Sequence, residues 1–447
     1  MSDSVYLIPM RQLVFAALTA LLFSMNAISQ TPQQLADAWK KHHITKIAPS
    51  DVRHADLKKY LDELKKLSVK VEQVGFSNAS REIYQAEWGT GALKVFMWSQ
   101  MHGDEPTATS AVLDMFAFLQ KNRDKDWVKK IGSMVTIRAV PMLNPDGAET
   151  YVRRNTQGID INRDALDLMT PEAQLLKRLR DDWTPAIGFN LHNQNALTTV
   201  GSTPRQAAIS LLVVYGDEAK TTSFGHERNM RLASAMAGAL RSFIPGHIGL
   251  YDDEWTSNAF GDNFSAWGTP TILIETGALD GKDEFYLVKM NFIAMLTALH
   301  SLASGAEAKQ TAYEYLSTPP NSSGVLVNVL FRRANVVTID ESQATIITTA
   351  DIGSVTSRRR ASFTAPTTIR SVGDLPSLRG LAEYDASNFR VVHRYSTVKP
   401  GELAELLFYR KERPVDWRVP DLERSNPPDA IFSTGKWIKG EKVVPKR

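Results

Sequence analysis

The chain has no cysteine. Disulfides, thiolate metal sites and cysteine nucleophiles are therefore excluded, and any metal centre must be built from histidine and carboxylate. No charge sign dominates either. The 52 basic and 49 acidic side chains leave a formal net charge of +3, which argues for neither nucleic acid nor an anionic membrane as a partner. Internal repeats and low-complexity tracts are missing. Past the N-terminus, no run reads as long enough to span a bilayer, which needs ~20 apolar residues.

The N-terminus itself carries a shorter apolar stretch, Leu13 to Phe23, with Arg11 ahead of it and the small residues Ala27 and Ser29 behind. This is the layout of a cleavable secretory signal over residues 1–29, with Met10 as an alternative start and the cut after Ser29. It predicts a secreted or periplasmic protein with no stable membrane span after cleavage.

What remains is ordinary for a folded protein: 43% hydrophobic and 23% charged residues over a length that suits two or three domains. From "LKVFMWSQ" onward, apolar strand-like runs alternate with helical periods. Runs such as "AIGFNLH" and "TILIETG" are near-continuously apolar, as expected of strands covered on both faces. Residues 30–315 thus predict an α/β domain with a mixed, largely parallel sheet and helices on both faces. After the turn-rich "STPPNSSG", helical periodicity stops and β-branched runs recur at short intervals, predicting a small all-β domain over 316–447. "SRRRAS", Ser357 to Ser362, reads as a solvated turn, with an anion patch as the alternative.

In open α/β sheets, ligands gather at the carboxyl ends of the strands. His102 and Glu105 follow the first such strand, in "HGDE", three apart on a bend entering a helix. His192 ends "AIGFNLH". Two imidazoles and a carboxylate form a zinc site with an open position for water. Singly, each has an ordinary structural explanation: a histidine at a strand end, or a glutamate favouring a helix N-terminus. Together they sit at equivalent topological positions. Glu275 lies inside "TILIETG", where an ionised carboxylate is costly without a partner or a task. Beside a metal and water it suits a general base. In "RRNTQGIDINRD", alternation with Ile159 and Ile161 places Asp160, Asn162 and Asp164 on one side if the segment is extended, with Arg163 opposite unless the chain turns there. Its arginines suit a bidentate grip on a carboxylate or support of an oxyanion, and Asp160 could orient a ligand histidine. His247 stands apart as a candidate rim residue.

"HGDE", "NPDG", "RRNTQGIDINRD", "NLH" and "ILIETG", in this order over about residues 50–305, resemble the zinc carboxypeptidase family, the carboxypeptidase A-like metallopeptidases. The resemblance implies one zinc ion held by His102, Glu105 and His192, with Glu275 as the catalytic glutamate. It implies Arg153 as the group polarising the scissile carbonyl, with Arg154 as a substitute. Asn162 and Arg163 match the pair that grips the substrate's terminal carboxylate, and Asp160 the acid behind the first histidine. Two departures stand out. Asn190 occupies a position often acidic in the family, and the loop tyrosine is unassigned, since Tyr251 lies upstream of its expected place. The reading that follows is an exported zinc metallocarboxypeptidase acting on peptides with a free C-terminal carboxylate. Alternatives are a related zinc amidohydrolase acting on cell-wall peptides or acyl-amino acids, and an inert binding module.

Overall fold

The computed structural model describes residues 30–342, 344–358 and 360–447, so the expected signal segment lies outside the described residues. The described chain opens with α1 (Pro32–His42) and α2 (His54–Lys66). α1 begins where it does because Thr31 and Gln34 form a reciprocal capping box, satisfying two amides that the helix cannot. Its buried stripe is Leu35, Ala36 and Trp39. The Trp39 indole donates to the buried carboxylate of Asp114 at 2.9 Å, and the amides of Ile44 and Thr45 donate to the same group. This ties the N-terminal segment to the sheet's covering layer.

The sheet strands and helices follow in order: β1 (Lys70–Phe76), β2 (Glu82–Trp88), β3 (Leu93–Ser99), α3 (Thr107–Lys121), α4 (Asp126–Met134), β4 (Val135–Val140), α5 (Pro145–Thr150), α6 (Pro171–Trp183), β5 (Ile187–Asn193). Then come β6 (Thr199–Val200), β7 (Ile209–Val214), α7 (Phe224–Arg241), β8 (Ile248–Leu250), α8 (Phe260–Ala266), β9 (Thr271–Thr276) and α9 (Glu284–Ser304). Eight strands pair in the order β1-β2-β4-β3-β5-β9-β7-β8. The central four, β4, β3, β5 and β9, are parallel. Antiparallel pairings flank them: β1 with β2, β2 with β4, and β7 with β9. The expected mixed sheet is present, with its parallel part at the centre.

β3 shows why the layers form. Val95 and Met97 enter the core beneath α3 and α9, while Phe96 and Trp98 enter a second core with Phe260 and Phe264 of α8. Strand side chains alternate faces, so an unbroken apolar run requires cover on both sides. Each large side chain so buried contributes about 1.5–3 kcal/mol before the cost of ordering it. α9 corrects one expectation, because it is long and apolar enough to cross a membrane. Its apolar length instead fills the core beside α3, with Phe292, Ile293 and Leu296 fully buried.

A second region is all-β, as its β-branched runs predict. β10 (Asn321–Ser322) pairs with β6 of the first region. β11 (Leu326–Ile339), β12 (Thr345–Thr356), β13 (Thr367–Gly373), β14 (Arg379–Asp385), β15 (Phe389–His393), β16 (Leu406–Arg410), β17 (Ala430–Ser433) and β18 (Lys436–Lys439) build a separate sheet. Its order is β13-β12-β11-β15-β16-β17-β18, with β14 also on β11, around Phe331, Phe389, Phe408 and Phe432. The connection from β12 to β13 carries "SRRRAS", and its Ser357, Arg358, Ala361 and Ser362 are exposed, as a solvated turn requires. Ala361 donates its amide to Ser50 Oγ at 2.9 Å, and Ser362 Oγ donates to Asp51 Oδ1 at 2.6 Å. Those backbone and hydroxyl groups find partners on the first region, so the turn docks there.

Candidate metal centre and active site

Because β3, β5 and β9 are parallel neighbours, their carboxyl ends open on one side. His192 of β5 and Glu275 of β9 are register partners. His102 and Glu105 lie on the bend between β3 and α3. That bend is held from several sides. Gln100, itself at φ 51°, donates its side-chain amide to Gly103 O at 3.0 Å. Asn144 Nδ2 donates to Met101 O at 3.2 Å, while Asn144 Oδ1 accepts from Gly147 N and caps α5. Gly103 packs directly on Gly147, where a Cβ would fall 1.9 Å from the carbonyl carbon. "HGDE" and "NPDG" therefore interlock backbone to backbone. Asp146 of the same motif accepts from Ser77 Oγ, Ala79 N and Arg81 Nη1, fastening α5 to the turn before β2.

His102, Glu105 and His192 offer ligand atoms that all lie within 4.8 Å of one another. His102 Nδ1 is 3.1 Å from His192 Nδ1. Glu105 places Oε1 at 2.9 Å from His102 Nδ1 and Oε2 at 2.7 Å from His192 Nδ1. Its Oε2 also accepts from Asn193 N at 3.1 Å. His102 Nε2 faces Asp160 Oδ1 at 3.0 Å. A carboxylate only accepts, so in the neutral ring Nε2 carries the proton and Nδ1 presents its lone pair. Arg153 Nη1, which only donates, sits 3.1 Å from that same Nδ1. Lone pairs from two rings and a carboxylate thus converge on one point. Glu105 and Asp160 stand around it against the adjoining guanidinium of Arg153, an excess of negative charge that a dication offsets. The donor set fits zinc.

The electrostatics agree. Burial opposes charging His102, yet Glu105 and Asp160 outweigh it and push its pKa up to about 9. The position attracts a second positive charge, as proton or metal ion. Burial alone would raise Glu105, but His102 and His192 hold it well below the usual carboxylate range. Burial lowers the pKa of His192, keeping the ring neutral. Glu275 moves the other way. Burial and repulsion from Glu105 push it well above the usual range, against the pull of His102 and Arg153. Its side chain is buried, and Oε2 has no hydrogen-bond partner among the described residues.

Arg153 Nε donates to Asp160 Oδ2 at 2.9 Å, and its Nη1 reaches Glu105 Oε1 at 3.2 Å. Asp160 therefore braces a ligand and an arginine at once. Burial opposes its charge, but His102 and Arg153 hold it far below its ordinary value. Arg154 turns away and donates to Gly158 O. Of the two readings of "GIDINRD", extended or turned, the structure takes the turn: Ile161–Arg163 form one 3-10 turn, capped by Asp160 Oδ1 accepting from Asn162 N. That turn lets both Asn162 and Arg163 line the same cavity, which alternation would forbid. Asn162 Oδ1 accepts from Phe260 N at 2.9 Å, which leaves its amide hydrogens for the cavity.

The cavity, of about 480 Å³, is lined by all three candidate ligands, Glu275, Arg153, Asn162 and Arg163. Leu212, Val214 and Leu273 give it an apolar wall. Sequence reasoning leaves Tyr251 without a role, yet it packs on that wall and faces the cavity. Burial and the nearby Glu275 and Glu105 push its pKa up to about 12, so the phenol remains a donor. Asp262, raised to about 6 by burial, also lines the cavity, and no motif points to it. Asn190 lines it too. His247 does not belong to the rim, because its Nδ1 is engaged with Gln206 O at 2.7 Å.

Residues 57–231 match the family model described as zinc carboxypeptidase. A carboxypeptidase 2 from Trichophyton rubrum is 29% identical over 104 residues, covering 23% of this chain and 19% of that protein. Carboxypeptidase SOL1 of Arabidopsis thaliana is 35% identical over 72 residues, covering 16% of this chain and 15% of its own. The chain thus spans about a fifth of the length of the curated relatives it matches. Among solved structures, a metallo-carboxypeptidase from Burkholderia cenocepacia aligns with a TM-score of 0.47 and 16% identity, over 56% of this chain and 69% of that one.

Proposed function

We propose, from the match of residues 57–231 to the zinc carboxypeptidase family, that this protein removes the C-terminal residue of peptides. The observation that carries the reading is the unpartnered, buried Oε2 of Glu275 beside two imidazoles and a carboxylate, in a cavity that also holds Arg163. His102, Glu105 and His192 would hold the zinc ion, which would supply Lewis acidity toward a carbonyl and a water molecule. Arg163, with the amide of Asn162, binds the free carboxylate of the substrate. That grip sets the last peptide bond over the centre. Arg153 donates to the carbonyl oxygen as it gains negative charge. Glu275 takes one proton from the attacking water as the new C–O bond forms, then passes it to the departing amine as the C–N bond breaks. Its Oε2, buried and without a partner among the described residues, is free for both halves of that task. Asp160 keeps His102 and Arg153 in place throughout.

Hydrolysis of an N-blocked dipeptide by the zinc-loaded protein tests this. Glu275→Gln keeps the shape and removes the base, so kcat is expected to fall by roughly 10²–10⁴-fold. Full turnover in that variant refutes the mechanism. Amidating the peptide's C-terminus should cripple hydrolysis, and equal cleavage of the amide supports an amidohydrolase instead. The N-terminal segment supports export of the enzyme, and N-terminal sequencing of the mature protein reads the cut after Ser29.

A further inference from the structure

The second sheet reaches back to the active site. Its β12–β13 turn is pinned to Ser50 and Asp51, and just before the pinned residues stands Arg358. Arg358 lines a second cavity of about 180 Å³, which shares Asn193 and Gln194 with the main one. The dividing wall is itself set by the second region: Asn321 Nδ2 donates to Gln194 Oε1 at 2.7 Å, and Asn321 Oδ1 accepts from Ser210 Oγ at 2.8 Å.

The charges in this smaller cavity are unevenly engaged. Glu284 is occupied, since both its oxygens accept from Ser50, at 2.8 Å from the amide and 2.6 Å from the hydroxyl. Asp283 caps α9 through the amide of Tyr286. The cations are not occupied in this way. Neither Arg358 nor Lys282 has a carboxylate within 4.0 Å among the described residues. The side chain set against Arg358 is the phenol of Tyr151, a neutral group that burial holds above its ordinary pKa. Asp104, which also feels the field of Arg358, stays outside ion-pair distance. The cavity thus carries two carboxylates and two cations, and the cations are the groups left without a counter-charge in contact.

We propose that this cavity receives the part of the peptide on the amino side of the scissile bond, and that Arg358 selects a carboxylate-bearing side chain there. The inference rests on the carboxypeptidase reading. With the terminal carboxylate on Arg163 in the main cavity, the rest of the chain must leave the reacting centre by another route. The second cavity, across Asn193 and Gln194, is that route. Arg358 lies so far along the chain from His102 that no local motif could join them, and here the other sheet delivers it.

Two N-blocked peptides test this, identical except for Glu or Gln at the position preceding the scissile bond. In the intact protein, kcat/KM should favour the Glu peptide by roughly 3- to 10-fold, chiefly through KM, the range of one partly screened ion pair. Arg358→Gln should bring the ratio near one, Arg358→Lys should keep part of it, and Arg358→Glu should invert it. A ratio of one in the intact protein, or one that Arg358→Gln leaves unchanged, overturns the proposal. Binding of the same peptides to the Glu275→Gln protein, read by fluorescence anisotropy, supplies an independent measure. Preference in binding without hydrolysis by the intact protein sinks the carboxypeptidase reading alone. Turnover without preference sinks only the role of Arg358.

Discussion

Adding one methyl group at Gly103 should disable the site without touching a ligand. An ideal Cβ there would lie 1.9 Å from the carbonyl carbon of Gly147, 2.3 Å from Ala148 N and 2.4 Å from Gly147 O. Carbon atoms in contact prefer about 3.5–4.0 Å, so the two backbones must separate by roughly 1.5 Å. Neither can turn a side chain aside, because every clashing atom is main chain. Overpacking of this kind costs about 1–3 kcal/mol, which in a chain of this size lowers Tm by only about 1–3 °C. The larger effect falls on chemistry. Gly103 adjoins His102 and lies two residues before Glu105, and a misplacement near 1 Å costs on the order of 10²-fold in rate. Gly103→Ala should therefore lose about 100-fold in kcat/KM and bind zinc more weakly while remaining folded by circular dichroism. Gly238→Ala is the matched control. Gly238 is exposed within α7 and its added Cβ meets nothing within 4 Å. The same chemical change there should stabilise the protein by about 0.5–1 kcal/mol and leave activity alone. If Gly103→Ala retains activity within about 3-fold, the interlock of the two loops does not position the ligands, and the reasoning fails.

Asp160→Asn should weaken zinc binding by about 10–100-fold, measured by competition with a chromogenic chelator, since it removes the acceptor that orients His102. An affinity equal to that of the unmodified protein refutes the bracing role of Asp160. Asp146 supplies a pH test of stability. Burial opposes its charge, but the amide of Ala79, the Ser77 hydroxyl and Arg81 hold its folded pKa below the ordinary value. A depressed carboxyl contributes stability that is fully present above the unfolded pKa and lost as pH falls through the folded one. The gap in urea midpoint between the unmodified protein and Asp146→Asn should stay constant from about pH 7 to 5 and narrow below about pH 4. A gap independent of pH excludes the charge as its cause.

Much of the fold is legible because burial writes itself into sequence. β3, β5 and β9 are buried on both faces, so their apolar runs are unbroken, and α1 announces its start through Thr31 and Gln34. Three short helices leave no such trace. α4, α5 and α8 span nine, six and seven residues, at most about two and a half turns, which is short of the window of about 11–18 residues in which a helical period can be read. Their reasons are local: α5 exists because Asn144 caps Gly147, and α8 because Phe260 and Phe264 fill the core against Trp98. α9 misleads in the opposite sense. A helix buried all round and a membrane span share one composition, and only packing separates them.

The site divides along a similar line. His102, Glu105, His192 and Glu275 can be found because each sits at a strand end, and the sheet converts four distant positions into one locus. Within "RRNTQGIDINRD" the residue types are informative, but period-two reasoning puts Arg163 on the wrong side. A single 3-10 turn, set by Asp160 capping its own loop, reverses that direction. Tyr251 escapes because its place depends on the loop after β8 folding over Leu212 and Leu273. Arg358 is harder still. Its arginine run offers at most an anion patch, and Ala361 and Ser362 just beyond it serve to dock a turn on Ser50 and Asp51. Its position is a property of two sheets meeting, so it can be reached only after both are built. By the same logic, loosening that dock should act at a distance: a variant that breaks the Ser362–Asp51 contact should erode the Glu-over-Gln preference while leaving the zinc ligands undisturbed.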